Sequence, residues 1–400
     1  MVVRALFLTT LFLLLAGHAQ AKKLPETILF SPEVLAETKR RVQERDPAVM
    51  PAYKKLIEQA DRALKAPAET VIFKPKPGPS GDIHDYWSLS PYWWPNPKSP
   101  GGLPYIRRDG MRNPTVDSDT YDRARMRRMS TDALTLALAW YLTDNEEYSG
   151  KGTALIWTWC CDSITRTNPN MNYAQSRLGL THGHRTGIIE TRDMIKVVEA
   201  ARIMEPSKAW SKAVTRKVTA WFAEYVAWLQ TSDFGKKEAA ATNNHGTWYD
   251  VQLAVFSLYI GDTKLVRAII DTLGPRRLIE QIRPNGAMPA ELDRSRSRHY
   301  TFFTLEAYFI LAAVGERVGL DFWHWESPTN VSIKKAFDYA APYLAEGEPW
   351  PFGDVGKYDP FMFTPLFHRA AMVYKEPRYL EILQALPKDA LQRDRAQLFY

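Results

Sequence analysis

Thr131-Asp132-Ala133-Leu134-Thr135-Leu136-Ala137-Leu138-Ala139-Trp140-Tyr141-Leu142 decides the fold. Leu134, Ala137, Leu138, Tyr141 and Leu142 fall at i, i+3, i+4, i+7 and i+8, the spacing of a helix with one apolar face. Similar faces recur downstream in Val214, Val218, Trp221, Phe222, Tyr225 and Leu229, in Val251, Val255, Leu258 and Tyr259, and in Leu305, Tyr308, Phe309 and Ala312. No segment sustains the alternation of a strand. Short joints such as Gly261-Asp262 suit helical hairpins that follow one another, and no fixed-length repeat argues for a solenoid. The expected fold is all-α, an incomplete α/α barrel or toroid of helical hairpins with long irregular loops.

Upstream, Ser31 is placed to cap a helix starting at Pro32, and a second helix is expected over Tyr53–Leu64. From Ala66 to Asn113 prolines and glycines break the pattern, so this stretch reads as an irregular loop. Its Tyr86, Trp87, Tyr92, Trp93 and Trp94 are too dense for a linker. Downstream, Trp350 to Gly356 is irregular again and helices are expected to resume from Phe361. At the start of the chain, Arg4, the apolar run Ala5 to Gly17 and Ala19-Gln20-Ala21 read as a secretory signal over residues 1–21. That run is shorter than the ~20 apolar residues of a spanning helix, so an exported periplasmic or extracellular protein without stable membrane insertion is expected. Residues 22–400 show no convincing internal boundary and read as a single toroid domain.

Cys160 and Cys161, the only cysteines, are adjacent and poorly placed to bridge distant segments. The formal net charge of +7 draws a chain toward polyanions or simply keeps it soluble. Its basic residues are dispersed, which disfavours nucleic acid and leaves acidic polysaccharide as the expected partner.

Two polar segments interrupt the helical pattern. Asn243-Asn244-His245 heads the helix carrying Val251, where Asn243 suits an N-cap and where the helix dipole keeps a histidine neutral enough to act as a base. Glu291-Leu292-Asp293-Arg294-Ser295-Arg296-Ser297-Arg298-His299-Tyr300 precedes the helix through Leu305. Here an arginine can neutralise a carboxylate and lower the pKa of the nearby Tyr300, with Glu291 orienting or pairing with the arginine. Breaking a 4-O-linked uronate by β-elimination requires loss of the C5 proton, stabilisation of enolate-like charge on the carboxylate, and protonation of the leaving O4. Amide, imidazole, guanidinium and phenol supply those roles with neither metal nor cofactor.

With these segments, Ser88-Leu89-Ser90-Pro91-Tyr92-Trp93-Trp94-Pro95, Gly102-Leu103-Pro104-Tyr105-Ile106-Arg107-Arg108-Asp109-Gly110 and Asn170-Met171-Asn172-Tyr173-Ala174-Gln175 make the chain resemble the alginate lyase superfamily of polysaccharide lyases, closest to its glucuronan- and mannuronan-cleaving branch. The resemblance spans about Asp82 to Gly356. It implies an α/α toroid with Asn244 and Arg294 as carboxylate neutralisers, His245 as base or its assistant, and Tyr300 as acid. Where base and acid share one face of the sugar, Tyr300 serves both steps; where they lie on opposite faces, His245 is the natural base. Asn172, Tyr173 and Gln175 are implied as a sugar-binding loop, with His184, Arg185, Trp93 and Glu291 as further contacts. The His299-Tyr300 pair departs from the family's commoner pattern of a small or less basic residue before the tyrosine. His182-Gly183-His184 lacks metal-ligand spacing.

A glycoside hydrolase of acidic glycans is the rival reading. It needs two carboxylates across the scissile bond, and Asp117, Asp119, Glu190, Glu291 and Asp354 form no recognisable pair in sequence. A non-catalytic acidic-glycan binder would keep the arginines and aromatics without needing Asn244, His245 and Tyr300 together.

Overall fold

The computed structural model describes residues 25–345 and 349–400, so the expected signal over residues 1–21 lies outside the described residues. Ser31 opens α1 (Pro32–Gln43): its hydroxyl accepts from the Val34 N–H at 3.3 Å, and Pro32 occupies the first turn, where a missing N–H costs least. α2 (Met50–Lys65) extends beyond the expected Tyr53–Leu64 at both ends. The chain continues through α3 (Arg123–Thr143), α4 (Glu146–Cys160), α5 (Met194–Met204), α6 (Lys212–Thr231), α7 (Asp233–Ala239), α8 (Asn244–Ile260) and α9 (Thr263–Leu273). Two short turns, α10 (Ile279–Gln281) and α11 (Pro289–Leu292), lead to the long α12 (Ser297–Arg317), followed by α13 (Ile333–Ala340), α14 (Thr364–Tyr374), α15 (Arg378–Leu383) and α16 (Lys388–Gln392).

α3 packs against α2, α4 and α5, α6 against α4 and α8, and α8 against α9 and α12. This succession of short-jointed hairpins makes an all-α, incomplete α/α toroid. Most buried apolar residues between Ile28 and Phe399 form one large cluster, and Trp87, Leu89, Val116 and Tyr121 form a second, smaller one. Both cysteines are buried and free.

The helical faces differ in kind. α6 buries one stripe, Val214, Val218, Trp221, Phe222, Tyr225 and Leu229, as its spacing requires. α8 buries Val251, Val255 and Tyr259 but also Thr247, Asp250, Gln252, Leu253 and Phe256, so it is enclosed on all sides and not amphipathic. Its polar side chains persist because they are bonded: Asp250 to Arg277 at 2.7 Å, Thr247 to Gln281 at 2.9 Å, and Gln252 Nε2 to the Trp248 carbonyl at 3.0 Å.

The Pro-rich region contains short strands that the sequence reading did not anticipate. β1 (Trp87–Leu89) pairs in parallel with β4 (Tyr173–Ser176), and β2 (Trp93–Trp94) pairs antiparallel with β3 (Ile106–Arg107). Strands of this length are too short to display alternation. They fix their loops beside the starts of α8 and α12. The segment around Trp350 joins the same end: Ser297 Oγ donates to the Gly353 carbonyl at 2.6 Å and accepts from Trp350 Nε1 at 2.7 Å. Phe361 lies in a 3-10 turn, and the helix resumes at Thr364. Among the described residues no helix is long and apolar enough to cross a membrane.

Candidate active site

Where the two loop systems meet the starts of α8 and α12 there is a cleft of about 470 Å³. Eight arginines line it (Arg107, Arg112, Arg123, Arg177, Arg185, Arg192, Arg294 and Arg296), and among the described residues no carboxylate does. A larger hollow of about 1060 Å³ lies along α2 and α16, but its Lys55, Arg62, Glu58 and Asp394 are of mixed sign.

The start of α8 supplies the first wall. Asn243 caps the helix by accepting the His245 N–H at 3.2 Å. The fully buried Asn244 donates both its backbone N–H and its Nδ2 to the Glu291 carboxylate, each at 2.7 Å, while its Oδ1 has no hydrogen-bond partner. Burial pushes the Glu291 carboxyl up, against the pull of these two hydrogen bonds. His245 Nδ1 lies 2.6 Å from Oε1 of Glu238, whose other oxygen is ion-paired with Arg185. A carboxylate only accepts, so this network assigns the proton to Nδ1 and turns Nε2 toward other partners. The chain can pass this point only with Gly246, because a Cβ there would lie 2.0 Å from the Ala241 carbonyl oxygen.

α12 and the turn before it supply the second wall. The Arg294 guanidinium sits 3.9 Å from the centre of the Tyr300 ring and donates to Asp109 at 3.1 Å. Asp109 also accepts from Arg107 at 2.7 Å and Ser295 at 2.8 Å; these partners outweigh burial and hold its carboxyl well below the usual range. The Tyr300 hydroxyl is 2.9 Å from that of Tyr92. Burial, reinforced by Tyr92, raises the Tyr300 phenol above its ordinary value, and Arg294 offsets this only in part. Arg294 pulls the phenol down as expected, but the net displacement is upward because burial of the ring and the Tyr92 hydroxyl outweigh one guanidinium. His299 stacks on Phe303 with centroids 5.8 Å apart, and burial followed by Arg296 lowers it to about 4. Burial, with Arg177 and Arg185, likewise lowers His184 to about 4.

Asn244, His245, Arg294 and Tyr300 all line the cleft, as do Trp93, Gln175, His184 and Arg185. Asn172, Tyr173 and Glu291 do not. Asn172 is exposed and accepts from Trp228 Nε1 at 3.2 Å, Tyr173 packs on the cluster containing Trp87, and Glu291 lies buried beneath Asn244. The pairing of β4 with β1 commits Tyr173 to that cluster. Gln175, at φ +50°, turns inward, but its Oε1 accepts from Thr186 at 2.7 Å and its Nε2 donates to Glu190 at 3.2 Å. Its amide thus braces the wall.

Glu238, Tyr92, Arg177 and Arg192 were not singled out from sequence. Glu238 ends a Lys236-Lys237-Glu238 run that reads as a solvated face, yet it is fully buried. Its position seven residues before His245 was the available signal. Of the carboxylates a hydrolase would need, Asp117 pairs with Arg112 at 2.7 Å and Asp354 with Arg298 at 2.9 Å. Glu190 is buried against Tyr86 and Ser88 at 2.9 and 2.6 Å, and Asp119 is exposed away from the cleft. Among the described residues no His, Cys, Asp or Glu cluster is placed to hold a metal ion.

The family named Alginate lyase matches residues 70–350 of this chain. A crystal structure of an alginate lyase from Bacteroides ovatus is similar at TM-score 0.89 and 34% identity, covering 94% of this chain and 99% of that one. Alginate lyase A1-III from Sphingomonas species A1 shares the fold alone, at TM-score 0.54 and 14% identity over 88% of this chain and 96% of that one. A variant of A1-III complexed with a tetrasaccharide gives a TM-score of 0.51 at 15% identity, over 81% and 79% of the two chains. No curated protein matches by sequence. The family match over most of the length, together with the Bacteroides ovatus relative, establishes that this chain belongs to the alginate lyase family and is a polysaccharide lyase.

Proposed function

We propose that the enzyme cleaves a 1,4-linked uronic-acid polymer, polymannuronate in alginate or glucuronan, by β-elimination, leaving a 4,5-unsaturated uronate at the new end. The observation that carries this reading is the cleft itself: many arginines, no lining carboxylate among the described residues, and Asn244, His245, Arg294 and Tyr300 all facing it. A polyanion is favoured there, and a two-carboxylate hydrolysis is not.

In this reading Arg294 and the second Nδ2–H of Asn244 meet the substrate carboxylate and stabilise the charge that develops as the C5 proton leaves. Glu291 holds the Asn244 amide in place, and Glu238 holds His245 with Nε2 available as base where the C5 proton and O4 lie on opposite faces. Tyr300, its phenol kept protonated by burial, protonates O4 as the bond breaks. Where the C5 proton and O4 lie on one face, Tyr300 serves both steps, Arg294 at 3.9 Å from its ring centre easing loss of the phenol proton and the 2.9 Å bond to Tyr92 giving that proton a way out. Mannuronate and glucuronate carry the C5 proton and O4 on one face, and there Tyr300 takes the proton and returns it to O4, its own proton having passed through Tyr92 to solvent.

The test is incubation of the purified protein with polymannuronate, polyguluronate, glucuronan and hyaluronan, following the ultraviolet absorbance of the C4=C5 bond. The expected result is absorbance growth on polymannuronate or glucuronan. Reducing ends without that chromophore would point to hydrolysis, and binding without product to a non-catalytic glycan binder. The signal reading extends the proposal to an exported enzyme, periplasmic or extracellular; a secreted N-terminus near Lys22 by mass spectrometry is the expected result.

A further inference from the structure

Of the three cleft arginines that no carboxylate pairs among the described residues, Arg177, Arg192 and Arg296, Arg177 is the one with a buried, unbonded nitrogen. It follows β4 and closes a tight turn in which its N–H donates to the Thr181 carbonyl and its carbonyl accepts the Thr181 N–H, both at 2.9 Å. Gly179 at the tip, φ +80°, approaches Pro104 so closely that a Cβ would sit 2.8 Å from the Pro104 Cα. The guanidinium lies 4.6 Å from the centre of the Trp93 ring. Backbone and head group are therefore both fixed, yet Nε is buried without a hydrogen-bond partner and, among the described residues, no carboxylate pairs with Arg177. Arg107 and Arg185 add repulsion to the burial that already works against its charge.

A half-buried cation without a counter-charge is unfavourable, and fixing it without neutralising it is the arrangement expected of a site that waits for an anion. Arg294 already serves the carboxylate of the reacting unit. We propose that Arg177, braced by Trp93, is a second uronate subsite that binds the carboxylate of a unit next to the one undergoing elimination. This rests on the uronate-lyase reading above. It makes the preferred substrate a polymer with carboxylates on successive units, and it reassigns Trp93 from a substrate contact to holding an arginine.

The test is calorimetric binding of saturated oligouronates to the Tyr300→Phe protein, with and without Arg177→Gln. Ligands are fully charged tetramers and tetramers in which all carboxyls but one are reduced to alcohols. Arg177→Gln is expected to weaken the fully charged tetramer about tenfold, the loss of one charge-assisted contact, and to leave the singly charged one unchanged. Equal weakening of both ligands, or of neither, would overturn the subsite. If Arg177→Gln fails to fold, Trp93→Leu, which frees the guanidinium, is expected to give a smaller loss with the same ligand dependence, and an unchanged affinity overturns the proposal. Failure of every oligouronate to bind the Arg177-containing protein would instead remove the functional reading.

Discussion

Two arginine environments meet at the start of α8, and they behave oppositely. Beneath the helix, the fully enclosed Arg277 has its donors engaged: Nε gives to Asp250 at 2.7 Å, Nη1 to the Ala241 carbonyl at 2.6 Å and Nη2 to the Ala239 carbonyl at 2.7 Å. In the cleft, Arg192 lies against rings, 4.9 Å from Phe303 and 5.8 Å from Trp248, and Arg177 against Trp93. The first environment ties the end of α7 to α8 and so sets where His245 stands. The second offers charge to a ligand. Neither role follows from residue type; it follows from whether the protein itself supplies the acceptors.

The contrast can be broken at either end. The largest effect is expected from Tyr300→Phe, which removes the acid while leaving the packed ring: kcat on the preferred uronan should fall about 10³-fold with little change in melting temperature. Retention of full activity would remove Tyr300 from the chemistry. Arg277→Met should cost about 3 kcal/mol of stability, read from the urea midpoint, because it strands the buried Asp250. Arg276, 2.9 Å from Asp250, limits the damage.

Glu238→Gln sharpens the comparison, since this carboxylate serves both a cleft arginine and the histidine. Its amide can donate to Nδ1 and favour the wrong tautomer, so kcat/KM should fall about 10²-fold, with Glu238→Asp recovering part of it. The smallest effect is a pH dependence outside both environments. Glu199, buried and accepting from the Ile28 and Leu29 N–H groups at 2.7 and 2.5 Å, is raised by burial from 4.5 to about 7. The folded state holds this proton more tightly than the unfolded one. Its contribution is therefore complete below pH 4.5 and is lost as pH rises through about 7. Glu199→Gln should flatten that slope in denaturation curves taken across the range.

Much of the frame was legible because helices advertise themselves locally. The α6 stripe, the Ser31 cap and the Asn243 cap are each decided within a few residues. α8 was misread as amphipathic because its Thr247, Asp250 and Gln252 look like a solvent face, whereas partners far away in sequence, Gln281 and Arg277, make burial tolerable. The β1–β4 pair joins residues more than eighty positions apart through a few hydrogen bonds, too brief a pattern to read. In the site, Asn244, His245, Arg294 and Tyr300 emerged because their combination matches one chemistry. Glu238 and Tyr92 did not, because a carboxylate among lysines and one aromatic among many take on meaning only once the chain has brought His245 and Tyr300 beside them.

The Asp109 bridge to Arg294 and Arg107 has a consequence for how the enzyme meets its medium. Arg112, Arg123 and Arg185 likewise carry carboxylates of their own, on Asp117, Glu190 and Glu238. Among the described residues that leaves Arg177, Arg192 and Arg296 without one, so an incoming polymer displaces few dissolved anions. Affinity should then decline with added salt along a slope nearer three than eight. A cleft that brings its own counter-ions holds a charged polymer across a wider span of ionic strength than its arginine count implies.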